Sequence, residues 1–277
     1  MKIIKNKTEL QDFLREIQKK GIKIGLIPTM GSIHQGHLSL IQRCQKLGYF
    51  SLVTIFVNPT QFNNSNDFNM YPKDQTNDKK FLKNIGTDLL FYPSTEDLYS
   101  EGIKSKKSIF EYRNILCDIY RPGHFDGVTT VVQSLFDLVK PDHVFFGEKD
   151  FQQLKMIEKL IENNKFSIVM HPCSSIRMSN GMSYSSRYKK FTYSDKKIFN
   201  KVANIIMESL GDLRRDFDKE NLKKLEYKLK KADLKKIDYL EIKSDIKLLP
   251  TDERKNARLF VAFHVGKIRI IDNFILY

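Results

Sequence analysis

Short apolar runs alternate with helical patterns through the first 170 residues or so, and this alternation limits the possible folds more than any other feature. The run 50–57 is apolar apart from Ser51 and Thr54, which is typical of a strand buried on both faces of a parallel sheet. Further strands are predicted at 22–27, 89–92, 143–146 and 166–170, and helices at 38–47, 79–85, 128–139 and 151–163. A first helix is predicted from Thr8, its expected N-cap, to Gly21, its expected C-cap. This order predicts an α/β fold with a Rossmann-like doubly wound parallel sheet.

The last hundred residues differ from the rest of the chain in composition and hydrophobic pattern. A connection rich in Ser, Asn and Gly at 174–186 precedes lysine-rich helical patterns. Three strands are predicted at 239–242, 259–265 and 268–271, the last two joined by the tight turn Gly266-Lys267. We therefore predict a Rossmann-like domain over 1–174 and a second, smaller α+β domain over 175–277.

The chain is strongly basic, with 47 Lys and Arg against 33 Asp and Glu and a net charge of +14. Such a charge permits nucleic-acid partners. The densest lysine cluster, 219–236, however places Leu222, Leu225, Leu229 and Ala232 in one stripe, so its lysines should coat the solvated face of an amphipathic helix. We predict no nucleic-acid partner, and salt-dependent binding to RNA or DNA is kept as an alternative.

Composition also excludes several classes of protein. No apolar run reaches the ~20 residues needed to span a bilayer, and residues 1–7 contain no apolar core of a signal peptide. Cys44, Cys117 and Cys173 lie far apart in the sequence, which predicts neither a disulfide framework nor a thiolate zinc cluster. We expect a cytoplasmic protein without a membrane partner.

The segment Pro28-Thr29-Met30-Gly31-Ser32-Ile33-His34-Gln35-Gly36-His37 lies between a predicted strand end and a predicted helix start. Ligands of α/β sheets bind at the carboxyl ends of strands, and a helix N-terminus favours phosphate. Two histidines there could donate to phosphate oxygens during attack on phosphorus. Metal ligation and simple solvation are the alternatives for such a pair, but no Glu lies between the histidines as in a zinc protease motif. A P-loop motif is absent from the sequence.

Five motifs together resemble those of the pantothenate synthetase (pantoate–beta-alanine ligase) family, within the HxGH nucleotidyltransferase superfamily. The first is the segment just described. The others are Phe56-Val57-Asn58-Pro59-Thr60-Gln61-Phe62, Arg121-Pro122-Gly123-His124-Phe125, Phe146-Gly147-Glu148-Lys149-Asp150-Phe151-Gln152-Gln153-Leu154 and Ser185-Ser186-Arg187. The resemblance covers nearly the whole chain.

This resemblance implies an AMP-forming ligase that acts in two steps. ATP and (R)-pantoate would give a bound pantoyl adenylate and pyrophosphate, and the amine of beta-alanine would then displace AMP to form pantothenate. It further implies Mg²⁺ with the ATP, a homodimer, and an active site in the cleft between an ATP- and pantoate-binding domain and a C-terminal lid domain. No metal-ligating side chain of the chain itself is predicted.

The family's site residues carry over to matching positions of this chain. The residues implied to bind ATP are Met30, Gly31, Ser32, Ile33, His34, Gln35, Gly36, His37, Gly147, Glu148, Lys149, Asp150, Ile176, Tyr184, Ser185, Ser186 and Arg187. His37 is implied to be a proton donor to the phosphates, with His34 beside it, and Lys149 to stabilise charge on the transferring phosphate. Without the motif around them, Lys149 and Asp150 would be read as a surface ion pair.

Pantoate is implied to bind Gln61 and Gln153, with Asn58 supporting the site and Gln61 also near beta-alanine. Arg121 is expected to position its loop, and His124 to be structural. Tyr184, Tyr188, Asn66 and Lys73 depart from the family pattern, which leaves loop details and substrate affinity open. The alternative enzyme is another HxGH nucleotidyltransferase that releases an adenylylated product.

Overall fold

The computed structural model describes residues 1–62, 68–69, 71–99, 102 and 109–277. Asn66, one of the departures from the family pattern, therefore lies outside the described residues. The chain divides into two compact units, Met1–Ser174 and Ser175–Tyr277, which are treated separately below. In the described part of the chain, no helix is both long enough and apolar enough to cross a membrane.

The first unit is built on a six-stranded parallel sheet in the order β1-β4-β3-β2-β5-β6. Its strands are β1 Lys2–Ile4, β2 Ile24–Thr29, β3 Phe50–Ile55, β4 Leu89–Phe91, β5 His143–Gly147 and β6 Val169–Cys173. Its helices are α1 Lys7–Lys19, α2 Gln35–Lys46, α3 Gln75–Asn84, α4 Thr95–Leu98, α5 Leu116–Tyr120, α6 His124–Val139 and α7 Phe151–Asn163. Single 3₁₀ turns lie at Pro59–Gln61 and Glu148–Asp150. The predicted doubly wound α/β fold is confirmed.

The strand order reverses between β2 and β5. From β2 the chain moves through β3 to β4 on one side, whereas β5 and β6 lie on the other side. Ligands of open α/β sheets bind outside the carboxyl ends of the strands at such a reversal, because the two neighbouring connections diverge there and leave a crevice. The topology thus places the candidate site beyond Thr29 and Gly147.

Burial explains why these apolar runs form the centre of the sheet. Leu26 and Ile27 of β2 and Leu52 and Val53 of β3 are fully buried. Ile41 on α2 belongs to the same hydrophobic cluster as Ile27 and Val53. Both faces of these strands are covered, as the continuous apolar run 50–57 predicted.

Several predicted boundaries are wrong by two or three residues. Helix α1 is capped by Asn6, whose side chain accepts from the amides of Thr8 and Glu9, and not by Thr8. Strand β2 begins at Ile24 rather than at residue 22, because its ladder starts where Ile24 pairs with Phe50. Strand β6 begins at Val169 rather than at residue 166, because Val169 is the residue that pairs with His143. The two strand starts are each determined by a partner distant in sequence, whereas the helix start is determined locally by Asn6.

The second unit combines two helices with a three-stranded antiparallel sheet in the order β7-β8-β9. Its elements are a 3₁₀ segment Ser186–Lys190, α8 Tyr193–Arg215, α9 Lys219–Lys230, β7 Lys236–Ser244, β8 Ala257–Val265 and β9 Ile268–Ile275. The predicted α+β character and the turn between the last two strands are confirmed.

Helix α9 has the amphipathic character that the lysine pattern predicted. Leu225 and Leu229 are buried in the core of the second unit. On the other face, Lys224 pairs with Glu220 at 2.9 Å through exposed side chains. The helix ends at Lys230, so Ala232 is buried just beyond it and not within the predicted helical stripe.

Candidate active site

Three candidate segments follow the carboxyl ends of the adjacent strands β3, β2 and β5. The loop 30–34 follows β2, the segment 56–61 follows β3, and Glu148–Asp150 follows β5. Because parallel neighbours end at the same edge of a sheet, the three segments share one edge. A contact of 2.8 Å from Gln61 Nε2 to Met30 Sδ joins the first two segments directly.

A buried carboxylate determines the shape of the loop after β2. Asp78 on α3 is 3% exposed, and its oxygens accept from the amides of Ser32 at 2.8 Å and Ile33 at 2.7 Å. Gly31 has a φ of +80°, and a Cβ there would lie 2.9 Å from Asp78 Oδ2, so only glycine fits without strain. Ser32 and Ile33 are themselves buried. Their amides, held by Asp78, shape the backbone that leads to His34.

The sequence did not single out Asp78. An acidic residue in the first turn of a helix is ordinarily explained by the helix dipole. The two amides that it binds lie 46 and 45 residues away in sequence. No local signal therefore distinguishes this carboxylate from a solvated one.

His34 and His37 begin helix α2 with their rings stacked at a centroid distance of 4.0 Å. His34 is the N-cap, and its Nδ1 accepts from the amide of Gly36 at 3.2 Å. His37 Nδ1 accepts in turn from the amide of His34 at 3.3 Å. Since a backbone amide can only donate, both Nδ1 atoms are acceptors, and each neutral ring carries its proton on Nε2. Both histidines are thus set up as Nε2–H donors at a helix N-terminus, where negative charge is favoured.

The segment after β3 holds two of the predicted pantoate residues side by side. Asn58 and Gln61 are both buried, and Asn58 Nδ2 lies 3.3 Å from Gln61 Oε1. The backbone carbonyl of Gln61 accepts from His124 Nδ1 at 2.8 Å, and His124 Nε2 accepts from Arg121 Nη1 at 2.9 Å. Arginine can only donate, which assigns the proton of neutral His124 to Nδ1. Arg121 and His124 therefore act on the position of Gln61.

The segment after β5 supplies the charged groups. Lys149 and Asp150 form an ion pair at 3.6 Å, with side chains 21% and 48% exposed. The ion pair considered as the alternative to a catalytic role is therefore present in the structure. Gln153 is half-buried in the first turn of α7, while its neighbour Gln152 is buried. Gln152 donates to the carbonyls of Tyr112 and Ile115. The two adjacent glutamines therefore have different environments. The sequence did not predict that Gln152 holds the backbone of another loop.

The second unit holds its own candidate residues next to strand β9. Tyr184 donates its amide to the carbonyl of Ile176 at 3.1 Å, and Ser185 Oγ accepts from the amide of Arg187 at 3.3 Å. The guanidinium of Arg187 donates to the carbonyl of Arg269 at 3.1 Å. A buried carboxylate, Asp272, accepts from the amide and the hydroxyl of Ser183, each at 2.7 Å. These contacts bring Ile176 and the segment 184–187 together within this unit.

A site at a strand-order reversal, with a glycine-containing loop, two Nε2–H donors at a helix N-terminus and a lysine after the next strand, defines a nucleotide-binding α/β enzyme. The particular family follows from comparison of the whole chain. The sequence model of the pantoate-beta-alanine ligase family matches residues 2–275. This chain belongs to that family and is a ligase.

Relatives and solved structures agree with the assignment. The chain is 37% identical to the pantothenate synthetase of Sulfurihydrogenibium sp. (strain YO3AOP1), over 99% of each sequence. It is similar to the crystal structure of pantothenate synthetase from Thermus thermophilus, with a TM-score of 0.91, 31% identity and complete coverage of both chains. The pantoate-beta-alanine ligase of Francisella tularensis, crystallised with beta-gamma ATP and beta-alanine, has a TM-score of 0.87 and 35% identity, and is covered over 98% of its length against 100% of this chain.

Proposed function

We propose that this enzyme condenses (R)-pantoate with beta-alanine in two steps. A pantoate carboxylate oxygen attacks the α-phosphorus of ATP, the bond to the β-phosphate breaks, and pyrophosphate leaves. The amine of beta-alanine then attacks the acyl carbon of the bound pantoyl adenylate, and the carbon–oxygen bond to AMP breaks. The sequence of steps is chemically sensible because a free carboxylate has no adequate leaving group until its oxygen carries AMP.

The paired Nε2–H donors of His34 and His37 are the observation that carries this proposal. Negative charge grows on the phosphate oxygens during attack, and donors already oriented towards that charge stabilise the transition state. Lys149, at the carboxyl end of the neighbouring strand β5, would add a positive charge on the transferring phosphate. The loop 30–37 and Gly147–Asp150 would hold the nucleotide, together with Ile176 and 184–187 of the second unit, for which we propose the role of a lid.

The amides after β3 suit a small hydroxy acid. Gln61 lies against Met30 of the nucleotide loop, so a pantoate molecule on Gln61 would lie next to the phosphates. Gln153 would bind the same substrate from the first turn of α7. Neutral amides bind hydroxyl and carboxylate oxygens without holding the acid in a fixed ion pair, which leaves its carboxylate able to attack. The beta-alanine carboxylate would share Gln61.

Mg²⁺ would come to the site with ATP. In the described part of the chain, no group of three or more His, Cys, Asp or Glu side chains could hold a metal ion. The ion would therefore rest mainly on phosphate oxygens and water, which is a common arrangement for Mg²⁺ with nucleotides. It would neutralise part of the phosphate charge. The homodimer and the cytoplasmic location implied by the resemblance stay predictions.

Exchange of labelled pyrophosphate into ATP tests the order of the two steps. We expect exchange that requires pantoate and proceeds without beta-alanine, because adenylation comes first. Exchange that needs beta-alanine would contradict the two-step order. Release of a free adenylylated product that never couples to beta-alanine would instead favour another HxGH nucleotidyltransferase activity.

A further inference from the structure

The side-chain amide of Asn58 has only one orientation that agrees with its surroundings. Asn58 is fully buried, and its Nδ2 faces the carbonyl oxygen of Gly127 at 2.9 Å. Its Oδ1 faces the amide of Thr60 at 3.3 Å. A carbonyl only accepts and a backbone amide only donates, so the backbone on both sides assigns the oxygen and the nitrogen of this amide.

Glycine at position 127 makes this arrangement possible. Gly127 lies in α6, and a Cβ there would come within 2.6 Å of backbone atoms of Thr60 and Gln61. Real Cβ atoms do not approach backbone that closely. The helix can therefore pack against the turn Pro59–Gln61, and its carbonyl reaches Asn58, only because residue 127 has no side chain.

Two hydroxyls also donate to Asn58 Oδ1, that of Thr60 at 3.0 Å and that of Tyr99. The hydroxyl of Tyr99 is the one that comes from a distant part of the chain. It lies 3.1 Å from Asn58 Oδ1, and since that atom is an acceptor, the hydroxyl is the donor. The ring packs edge-on against Phe56 at a centroid distance of 5.9 Å. Burial raises the pKa of Tyr99 to about 12, so the hydroxyl keeps its proton throughout the pH range in which the enzyme can be assayed.

The orientation of Asn58 determines the orientation of the Gln61 side-chain amide. Asn58 turns its donor Nδ2 towards Gln61. The acceptor that faces it is Gln61 Oε1, at 3.3 Å. The nitrogen Nε2 of Gln61 then points the other way, towards Met30 Sδ at 2.8 Å. Gln61 is thereby oriented to offer N–H donors to the substrate.

We propose that Tyr99 is a positioning residue that, by donating to Asn58 Oδ1, holds Asn58 firmly in the orientation set by the backbone, so that Gln61 stays oriented as a hydrogen-bond donor and this position is selective for an acceptor oxygen of pantoate. The inference rests on the proposed function, because it deepens the role of Gln61 in that reaction. Tyr99 does not touch the substrate. Its effect is on the affinity for pantoate, and neither ATP binding nor the adenylation of bound pantoate depends on it.

Tyr99→Phe tests the proposal by removing one oxygen atom from a buried ring. We expect the pantoate KM in pyrophosphate exchange to rise about fivefold, with kcat and the ATP KM within twofold of wild type, which is the scale of one buried hydrogen bond. The matched control is Tyr49→Phe, which removes a hydroxyl next to the amino end of β3 and should leave all three constants unchanged. An unchanged pantoate KM in Tyr99→Phe, or an equal rise in the ATP KM, would overturn the proposal.

A double-mutant cycle with Gln61→Ala separates positioning from general loosening of the fold. If Tyr99 acts through Gln61, then Tyr99→Phe has no further effect on the pantoate KM once the glutamine side chain is gone. Two effects that multiply in the double variant would contradict the proposal. Gln61→Glu supplies a second test, since Glu still accepts from Asn58 but offers no N–H donor, and we expect it to lose at least tenfold in pantoate kcat/KM.

These outcomes differ from failure of the proposed function itself. A wild-type enzyme that shows no pantoate-dependent exchange would refute the reaction. Normal wild-type exchange with a Tyr99→Phe variant indistinguishable from it would refute only the role of Tyr99.

Discussion

Both ends of the six-stranded sheet carry histidines, glutamines and aspartates, and the two sets differ in how their hydrogen bonds are arranged. At the carboxyl ends, His34 and His37 are stacked with their Nδ1 atoms on backbone amides. Near the amino end of β5, His143 and His171 bond to each other at 3.1 Å between Nδ1 and Nε2. The first pair therefore carries its ring protons on Nε2 at a helix N-terminus. In the second pair, one ring nitrogen of each histidine is bonded to the other histidine.

The aspartates at both ends accept from backbone amides, but they and the glutamines hold different parts of the chain in place. Near the amino ends of the strands, Asp88 accepts from the amide and hydroxyl of Ser51, and Gln45 donates to the carbonyls of Ile85 and Gly86. At the carboxyl ends, Asp78 shapes a loop and Gln61 is oriented as a donor. The reason is the direction of the chain. Helices begin after the carboxyl ends of strands and bring spare N–H donors there, and a carboxylate at either end accepts from backbone amides that would otherwise be unsatisfied.

The largest expected difference between the two ends is in the histidines. His37→Ala and His34→Ala should each slow pyrophosphate exchange by about 10²–10³-fold, because each removes a donor to charge in the transition state. His143→Ala should stay within about threefold of wild type, since it lies outside the site. Exchange rates measured at saturating substrates decide the matter. A normal rate in His34→Ala or His37→Ala would show that this histidine does not stabilise the transition state.

Substitution of glutamines sharpens the comparison at the level of substrate affinity. Gln153→Ala should lower pantoate kcat/KM by about 10–100-fold and leave the ATP KM nearly unchanged, because a polar partner of pantoate is lost. Gln45→Ala, at the amino end, should change neither constant. Lys149→Ala should instead reduce the exchange rate even at saturating pantoate. An equal weakening of ATP and pantoate in Gln153→Ala would show that this residue is wrongly assigned.

Substitution of aspartates tests whether loop shape matters for nucleotide. Asp78→Asn keeps one acceptor oxygen but turns an NH₂ group towards an amide, so the ATP KM should rise about tenfold or more. Asp88→Asn should leave the ATP KM within twofold and lower the free energy of unfolding by about 1 kcal/mol. Exchange kinetics and urea unfolding of both variants give the two readouts. Asp78→Asn with a normal ATP KM would mean that the loop keeps its shape without the carboxylate.

The smallest expected effect is the pH dependence of stability. Burial lowers the pKa of both His143 and His171 from 6.5 in the folded state. Below pH 6.5 the unfolded chain therefore binds protons that the folded chain does not, so the stability contribution is full above pH 6.5 and is lost as the pH falls through the lowered pKa values.

Urea unfolding at pH 7.5 and pH 5.5 measures this contribution. The wild type should lose more of its free energy of unfolding over that interval than a His143→Gln/His171→Gln double variant. The double variant serves as the control, because all other titrating groups are the same. Equal losses in the two proteins would show that the pair titrates alike in the folded and unfolded chains.

The sequence by itself determined the architecture and the family. The alternation of apolar runs and helical stripes over 1–174 is a local property, because helix and strand periodicities are written in neighbouring residues. The motif residues His34, His37 and Gln61 could be identified for the same reason, since a motif is short and its spacing is visible. Their assignment to ATP and pantoate came from the resemblance and stays a prediction.

Only the tertiary structure decided where strands start, which carboxylates shape the site and which way its amides face. Strand β6 begins at Val169 because His143 pairs with it, and Asp78 matters because two amides about 45 residues away meet it. Tyr99 and Asn58 are 41 residues apart. Such partners meet only when the chain is folded, and a buried donor or acceptor must be satisfied by whatever the fold brings to it. The identity of such a partner cannot be read from the neighbouring residues in the sequence.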